Sequence, residues 1–266
     1  MTAKPTRIGL IGFGHLGRSI YERIAAEPGL GIEIAFVWNR SADKLADVPT
    51  DLQLASLDEA ADRTPDLIIE VAHPGITRDH GARFLEHADY LPLSVSALVD
   101  DALYKRLSDT ASAHGTRLLI PHGALMGVDN LRESREIWRE VSVTFEKHPA
   151  AIDFSESGID GGALTERGTV FEGTAREIGA LFPRNVNTMV TCALATVGLD
   201  QCRARLIADP ALDVGIAIVE AQGTDGSSLT MRKEQPMAGV SGTEMFASIF
   251  GSILRAAGGT GPVDFV

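Results

Sequence analysis

With 266 residues, 44% of them hydrophobic and 23% charged, the chain can bury one large core or two of ordinary size. Its net charge of -12 argues against a nucleic-acid or anionic-membrane partner, since either calls for a basic face. No apolar run approaches the length that spans a bilayer, which leaves a small-molecule substrate as the expected partner. The cysteines, Cys192 and Cys202, form neither a metal-ligand spacing nor a disulfide framework. The first residues carry no apolar segment of the secretory kind. A cytoplasmic protein with buried thiols and no metal centre is expected.

In chain order, a short apolar run (Ile8, Leu10, Ile11) reads as a buried strand feeding directly into Gly12-Phe-Gly14-His15-Leu16-Gly17. An amphipathic helical pattern follows, with Leu16, Ile20 and Ile24 on one face. Strand, G-x-G-x-x-G and helix in succession form a dinucleotide-binding fingerprint. Gly12 permits the tight turn, Gly14 lets the backbone approach a pyrophosphate, and Gly17 lets the helix pack close to the strand. The phosphates are expected at the helix N-terminus, beside His15 and Leu16, where unpaired N–H groups favour negative charge.

Ile32 to Trp38 reads as the second strand, ending at Asn39-Arg40-Ser41. An acid at this point commonly contacts the ribose 2′-OH of NAD. None is present. Arg40 can pair with a 2′-phosphate and Asn39 and Ser41 can hydrogen-bond it, so the expected cofactor is NADP rather than NAD. Ser56 and Glu59 have capping-box spacing for a short helix. Asp66 to Ala72 is a buried strand ending at His73-Pro74, and Thr77 to His87 a helix. Leu91 to Ala97 is a further strand, Asp100 to Ala113 a helix stopped by Gly115, and Arg117 to Ile120 one more strand before Pro121-His122. Alternating strands and helices imply a doubly wound parallel sheet, with ligands beyond the carboxyl ends of its strands. Ala72, His73, Ser96 and His122 each lie near such an end and are candidates to border the nicotinamide; turn-stabilising roles remain equally open.

From about Ile137 the pattern changes. Val141, Val143 and Phe145 alternate with polar residues, the period of a half-exposed strand. A glycine-rich loop (155–168) follows, then a strand at Val170–Gly173, helices at Thr174–Leu181 and Asn187–Val197, and strands at Ala204–Ala208, Gly215–Ala221 and Ser228–Lys233. This half reads as α+β. A final apolar helix from Thr243 to Ala257 returns to the nucleotide domain.

The motifs Ile120-Pro-His-Gly-Ala124, Val170-Phe-Glu-Gly-Thr-Ala-Arg-Glu177, Leu181-Phe-Pro-Arg-Asn-Val-Asn187 and Ala208-Asp-Pro210 resemble the L-aspartate dehydrogenase family. Val37-Trp-Asn-Arg40 and Glu70-Val-Ala-His-Pro74 are most similar to its animal branch. The resemblance implies an α/β fold: an N-terminal Rossmann domain (1–124 with 241–266) and a C-terminal α+β catalytic and dimerisation domain (125–240). It also implies a homodimer that interconverts aspartate, or a relative, with its imine or keto acid. Asn187 would hold the nicotinamide carboxamide, since one amide can donate and accept; it could equally cap its helix. One departure matters. The family places Asn-x-His-Glu shortly after Ala-Asp-Pro, whereas Gly215 and Ala217 stand there in this chain. His122 is the candidate replacement for the lost acid/base. Reduction of a different imine or ketone, and a non-catalytic NADPH sensor, are the alternatives. Arg205, Arg232 and Lys233 are candidates for binding substrate carboxylates.

Overall fold

The structure, a computed structural model, describes residues 4–238, 241–242 and 244–259. The chain forms two compact units, residues 1–121 with 249–266 and residues 122–248. Sequence reading puts its domain boundaries at 124/125 and 240/241.

In the first unit β1 (Thr6–Ile11), β2 (Ile32–Trp38), β3 (Leu67–Glu70) and β4 (Asp89–Pro92) make a parallel sheet in the order β2-β1-β3-β4. The strands are short and nearly uniformly apolar, as parallel strands buried on both faces must be. Ile8, Leu10, Ile11, Phe36, Val37, Ile68, Ile69 and Leu91 are buried. The connecting helices are α1 (His15–Ala26), α2 (Pro74–Leu85) and α3 (Asp101–His114). α3 opens on the Asp100 carboxylate, which accepts from the amides of Ala102 and Leu103, and closes on Gly115 at φ 69. From β1 the chain crosses outward to β2, then returns past β1 to β3. That reversal of direction creates a crevice at the carboxyl ends of β1 and β3.

Several elements differ from the sequence reading. The strand expected at Leu91–Ala97 ends at Pro92; a 3-10 turn spans Val95–Val99 and buries Ser96. Proline has no N–H to extend the ladder, and Leu93 makes the last amide bond, to the Glu70 carbonyl. Arg117–Ile120 is an isolated bridge, Leu118 to Tyr90, rather than a strand. Ser56 caps a single 3-10 turn through the Asp58 amide, without a capping box. α2 starts three residues early because His73 caps it, the ring Nδ1 accepting from Gly75 N at 3.0 Å.

The second unit holds α4 (Val128–Glu133), β5 (Trp138–Lys147), β6 (Gly168–Thr174), α5 (Ala175–Leu181), α6 (Asn187–Ala195), β7 (Arg203–Ala208), β8 (Val214–Gly223), β9 (Ser228–Ala238) and β10 (Ser241–Gly242). The sheet runs β10-β9-β8-β5-β7-β6, with β5–β7 parallel and the other pairs antiparallel. Val141, Val143 and Phe145 are buried, as the alternation requires. α5 is fixed at its start by a capping box between Thr174 and Glu177. The last helix, α7 (Met245–Ala256), starts in the second unit and ends in the first. Thr243, where sequence reading begins it, lies outside the described residues. Among the described residues no helix is long and apolar enough to cross a membrane.

Candidate functional site

The glycine loop closes against the turn after β3. Gly12 has φ 101, and a Cβ there would stand 2.8 Å from the Val71 carbonyl oxygen. A Cβ on Gly17 would come within 2.1 Å of the Gly12 carbonyl oxygen, so both positions admit only glycine. Gly14, by contrast, is exposed and has nothing within 4 Å of where its Cβ would be. It holds the N-cap position of α1, where no side chain caps the helix and no acid stands in the first turn. The amides of His15, Leu16 and Gly17 therefore keep the anion-binding character of a helix start. A dinucleotide diphosphate fits this cradle.

At the end of β2, Asn39 ties the loop together. Its Oδ1 accepts from Phe13 N at 2.9 Å, and its Nδ2 donates to the Ser41 carbonyl at 2.9 Å. That leaves Arg40 and Ser41 exposed beside the glycine loop. Sequence reading missed Arg18, whose guanidinium lies 4.8 Å from the Phe13 ring centroid. It donates to Asp47 at 2.9 Å and to the Lys44 carbonyl at 3.4 Å, so it braces the same loop. A basic residue directly after the third fingerprint glycine was the available signal.

Glu70 was also missed as a functional residue. It ends β3, is fully buried, and meets four donors. Oε1 accepts from Ala72 N at 2.6 Å, His73 N at 2.7 Å and Ser94 Oγ at 3.0 Å; Oε2 accepts from Ser94 N at 3.1 Å. Burial pushes its carboxyl above the usual range, and the four donors oppose that shift. The same burial, with the Glu70 charge, drives the Tyr90 phenol well above its ordinary value, although Tyr90 bonds Thr77 at 2.9 Å. Glu70 thus fixes the turn carrying Ala72 and His73, both exposed, against the glycine loop. Ser96 is placed differently: it is buried within its 3-10 turn.

In the second unit the chain from His122 to Gly127 is held on several sides. The Ser248 hydroxyl bonds the Gly123 carbonyl, and Lys233 Nζ donates to the Ala124 carbonyl at 3.1 Å. Gly123, at φ 60, packs on Thr188: a Cβ there would sit 2.4 Å from the Thr188 methyl. The loop of His122 therefore lies against the start of α6, where Asn187 is the first helical residue and Val186 the N-cap. His122 Nε2 is 3.2 Å from Asp129 Oδ1; the His side chain is 25% exposed and the Asp 70%. Asp129 opens α4, an element sequence reading did not find. The carboxylate beside Nε2 orients the imidazole and favours its protonated form.

Gly215 and Ala217 lie at the start of β8, Ala217 in register with Phe145 on one side and Lys233 on the other. Lys147, on the same sheet face as Phe145, is buried; its Nζ is 3.5 Å from the Asn185 carbonyl and 5.3 Å from the Phe145 ring centroid. Burial lowers its pKa from 10.5 to about 8.

Comparison with known proteins converges on one family. A model described as "Aspartate dehydrogenase, C-terminal" matches residues 129–252, and one described as "Homoserine dehydrogenase, NAD binding domain" matches 12–121. A zebrafish (Danio rerio) aspartate dehydrogenase domain-containing protein is 35% identical, with 99% of both chains covered. L-aspartate dehydrogenase 1 of Bordetella pertussis is 31% identical, with 97% of each covered. The crystal structure of a Thermotoga maritima aspartate dehydrogenase superposes with TM-score 0.75 at 24% identity, covering 98% of this chain and 99% of that one, a likeness of fold.

Proposed function

The chain belongs to the aspartate dehydrogenase family, and from that premise we propose that it is an NADP-dependent amino-acid dehydrogenase. It interconverts aspartate or a close relative with the corresponding imine or keto acid. The observation that carries this reading is the His122–Asp129 pair, on a loop seated against the helix start that presents Asn187. Bound NADP(H) supplies or accepts the hydride at the substrate carbon. The chain's own part is to bind, orient and move a proton. Gly12, Gly14 and Gly17 with the start of α1 receive the diphosphate, and the Asn187 amide holds the carboxamide. The His122 imidazole takes a proton from the substrate amine as the carbon–nitrogen double bond forms, and returns it in the reverse direction. The Asp129 carboxylate stabilises the imidazolium in between. The test is NADPH oxidation with oxaloacetate plus ammonia and with a panel of other keto acids. Turnover with oxaloacetate supports the reading, turnover only with another acid reassigns the substrate, and no turnover at all overturns it.

The cofactor preference rests on the exposed Arg40 and Ser41 where an NAD-selecting acid would stand. NADP(H) binds more tightly than NAD(H), and Arg40→Ala removes most of the difference. A charge-assisted contact to a 2′-phosphate is worth about 1.5–3 kcal/mol, roughly tenfold to a hundredfold in affinity. Calorimetric titration giving equal affinities in the unaltered protein contradicts this assignment.

The assembly proposed is a homodimer through the second unit. Supporting it is the sheet face on which the half-buried Ile218 lies beside Thr144, with the Arg205–Glu172 and Arg232–Glu234 ion pairs on either side. Light scattering at micromolar concentration should return twice the chain mass; a monomer mass rules it out.

A further inference from the structure

Strand register sorts the three cations that sequence left equivalent. Arg205 pairs with Thr144, Thr144 with Ile218 and Ile218 with Arg232, so both arginines stand on one sheet face. Each is about half exposed and ion-paired to a glutamate, Glu172 or Glu234. Lys233 lies in the next row, with Ala217, Phe145, Leu206 and Phe171, on the opposite face. Phe171 there packs edge-on against the buried Phe182 that follows α5. The Lys233 side chain is only 9% exposed, and its ammonium reaches the Ala124 carbonyl, two residues from His122. Of the three, it alone shares the face and the loop of the proposed proton-transfer group.

Its counter-ion is Glu244 at 2.5 Å, and that side chain is 49% exposed. A nearly buried ammonium must keep an anionic or hydrogen-bonding partner, because bare burial of the charge is costly. A half-exposed carboxylate can leave for water at little cost if another carboxylate takes its place. Two residues further along the same face of β9, opposite Gly215, Gln235 Oε1 is buried and accepts no hydrogen bond among the described residues. Such an acceptor is poised for an N–H donor. An ammonium that takes a carboxylate, next to an amide oxygen awaiting an N–H, matches a molecule bearing both groups.

We propose that Lys233 is the specificity-determining cation that receives a carboxylate of a small dicarboxylic amino- or keto-acid substrate, and that Glu244 occupies it until the substrate arrives. This rests on the dehydrogenase reading above and assigns its substrate contact. The two partners then have opposite effects. Lys233→Gln weakens binding of succinate to the NADP-loaded protein and raises KM for oxaloacetate, each roughly tenfold to a hundredfold, the scale of a lost charge-assisted bond. Glu244→Gln removes an internal competitor, so it tightens succinate binding and lowers KM. Propionate, with a single carboxylate, is the control ligand and binds more weakly than succinate to the unaltered protein. If Lys233 serves only to anchor the loop, both substitutions weaken binding together, and that result overturns the proposal. So does unchanged affinity in either variant, or failure of the unaltered protein to bind succinate. Lys233→Arg, which keeps the charge, serves should the glutamine variant not fold: it retains succinate binding, and loss of binding in a folded arginine variant counts against the assignment. Opposite shifts in succinate affinity without turnover on any keto acid retain Lys233 as the carboxylate site while removing the dehydrogenase reading. Turnover that ignores both substitutions does the reverse.

Discussion

His122→Ala lowers kcat roughly a hundredfold or more, about 2.7 kcal/mol of transition-state stabilisation, while NADPH affinity stays nearly constant. The expectation follows from the ring's placement. Nε2 is engaged by Asp129 at 3.2 Å, which orients the imidazole and supports its charged form. The pH–rate profile of the variant should lose its limb in the range where imidazoles titrate, roughly pH 6 to 7. Asp129→Asn should produce a smaller loss, because the ring remains and only its orientation and charge support are weakened. If His122 merely fills the turn, the loss of rate is modest and comes with reduced stability. A His122→Ala variant with full kcat and an unaltered pH profile excludes the acid/base role.

Glu70→Gln lowers the stability of the folded protein by about 2–4 kcal/mol and weakens nucleotide binding with it. All four groups that meet the Glu70 oxygens are donors or can act as donors. Glutamine has almost the same shape but presents its own N–H2 to part of that set, leaving buried amides without an acceptor. Each such loss costs about 1–3 kcal/mol. The turn it holds includes Val71 and Ala72, which contact Gly12, so the damage spreads to the nucleotide cradle. Urea denaturation of both proteins, alongside calorimetric titration with NADP, measures the two effects. Equal midpoints and equal affinities would show that the turn holds itself without the carboxylate.

The nucleotide half was legible because its chemistry is local. Glycine spacing, the apolar run before it and the residues ending β2 are set within a few positions of one another. Sequence misjudged the region after β4 for an equally local reason. Leu91 to Ala97 is an apolar run whose length and composition fit a strand, and Pro92, with no N–H for the ladder, is the one residue in it that marks the stop. Glu70 could have been noticed as a lone carboxylate inside an apolar strand, although its donors come from 24 residues away as well as from its own turn. In the second half the deciding information is register. A one-residue step separates Arg232 from Lys233 and puts them on opposite faces, and nothing near either residue tells which face carries His122. The pairing of His122 with Asp129 depends on the short helix α4, whose six residues are too few to give a periodic signal.

The division of the chain bears on how the protein is made. The first unit is interrupted after Pro121 and completed only by residues from Ile249 onward. Those late residues are structural: Ile249, Phe250 and Ile253 are buried, the Thr6 hydroxyl bonds the Ala257 carbonyl at 3.1 Å, and Arg117 reaches the Ala256 carbonyl at 3.3 Å. A ribosome delivers them only after the whole second unit. The sheet β2-β1-β3-β4 must wait for its closing helix while residues 122–248 emerge uninterrupted and can fold as they appear. The nucleotide-binding half, although first in sequence, is therefore the last to be completed. A bound dinucleotide would then act as a latecomer that selects finished molecules, since it draws the equilibrium toward the state that binds it.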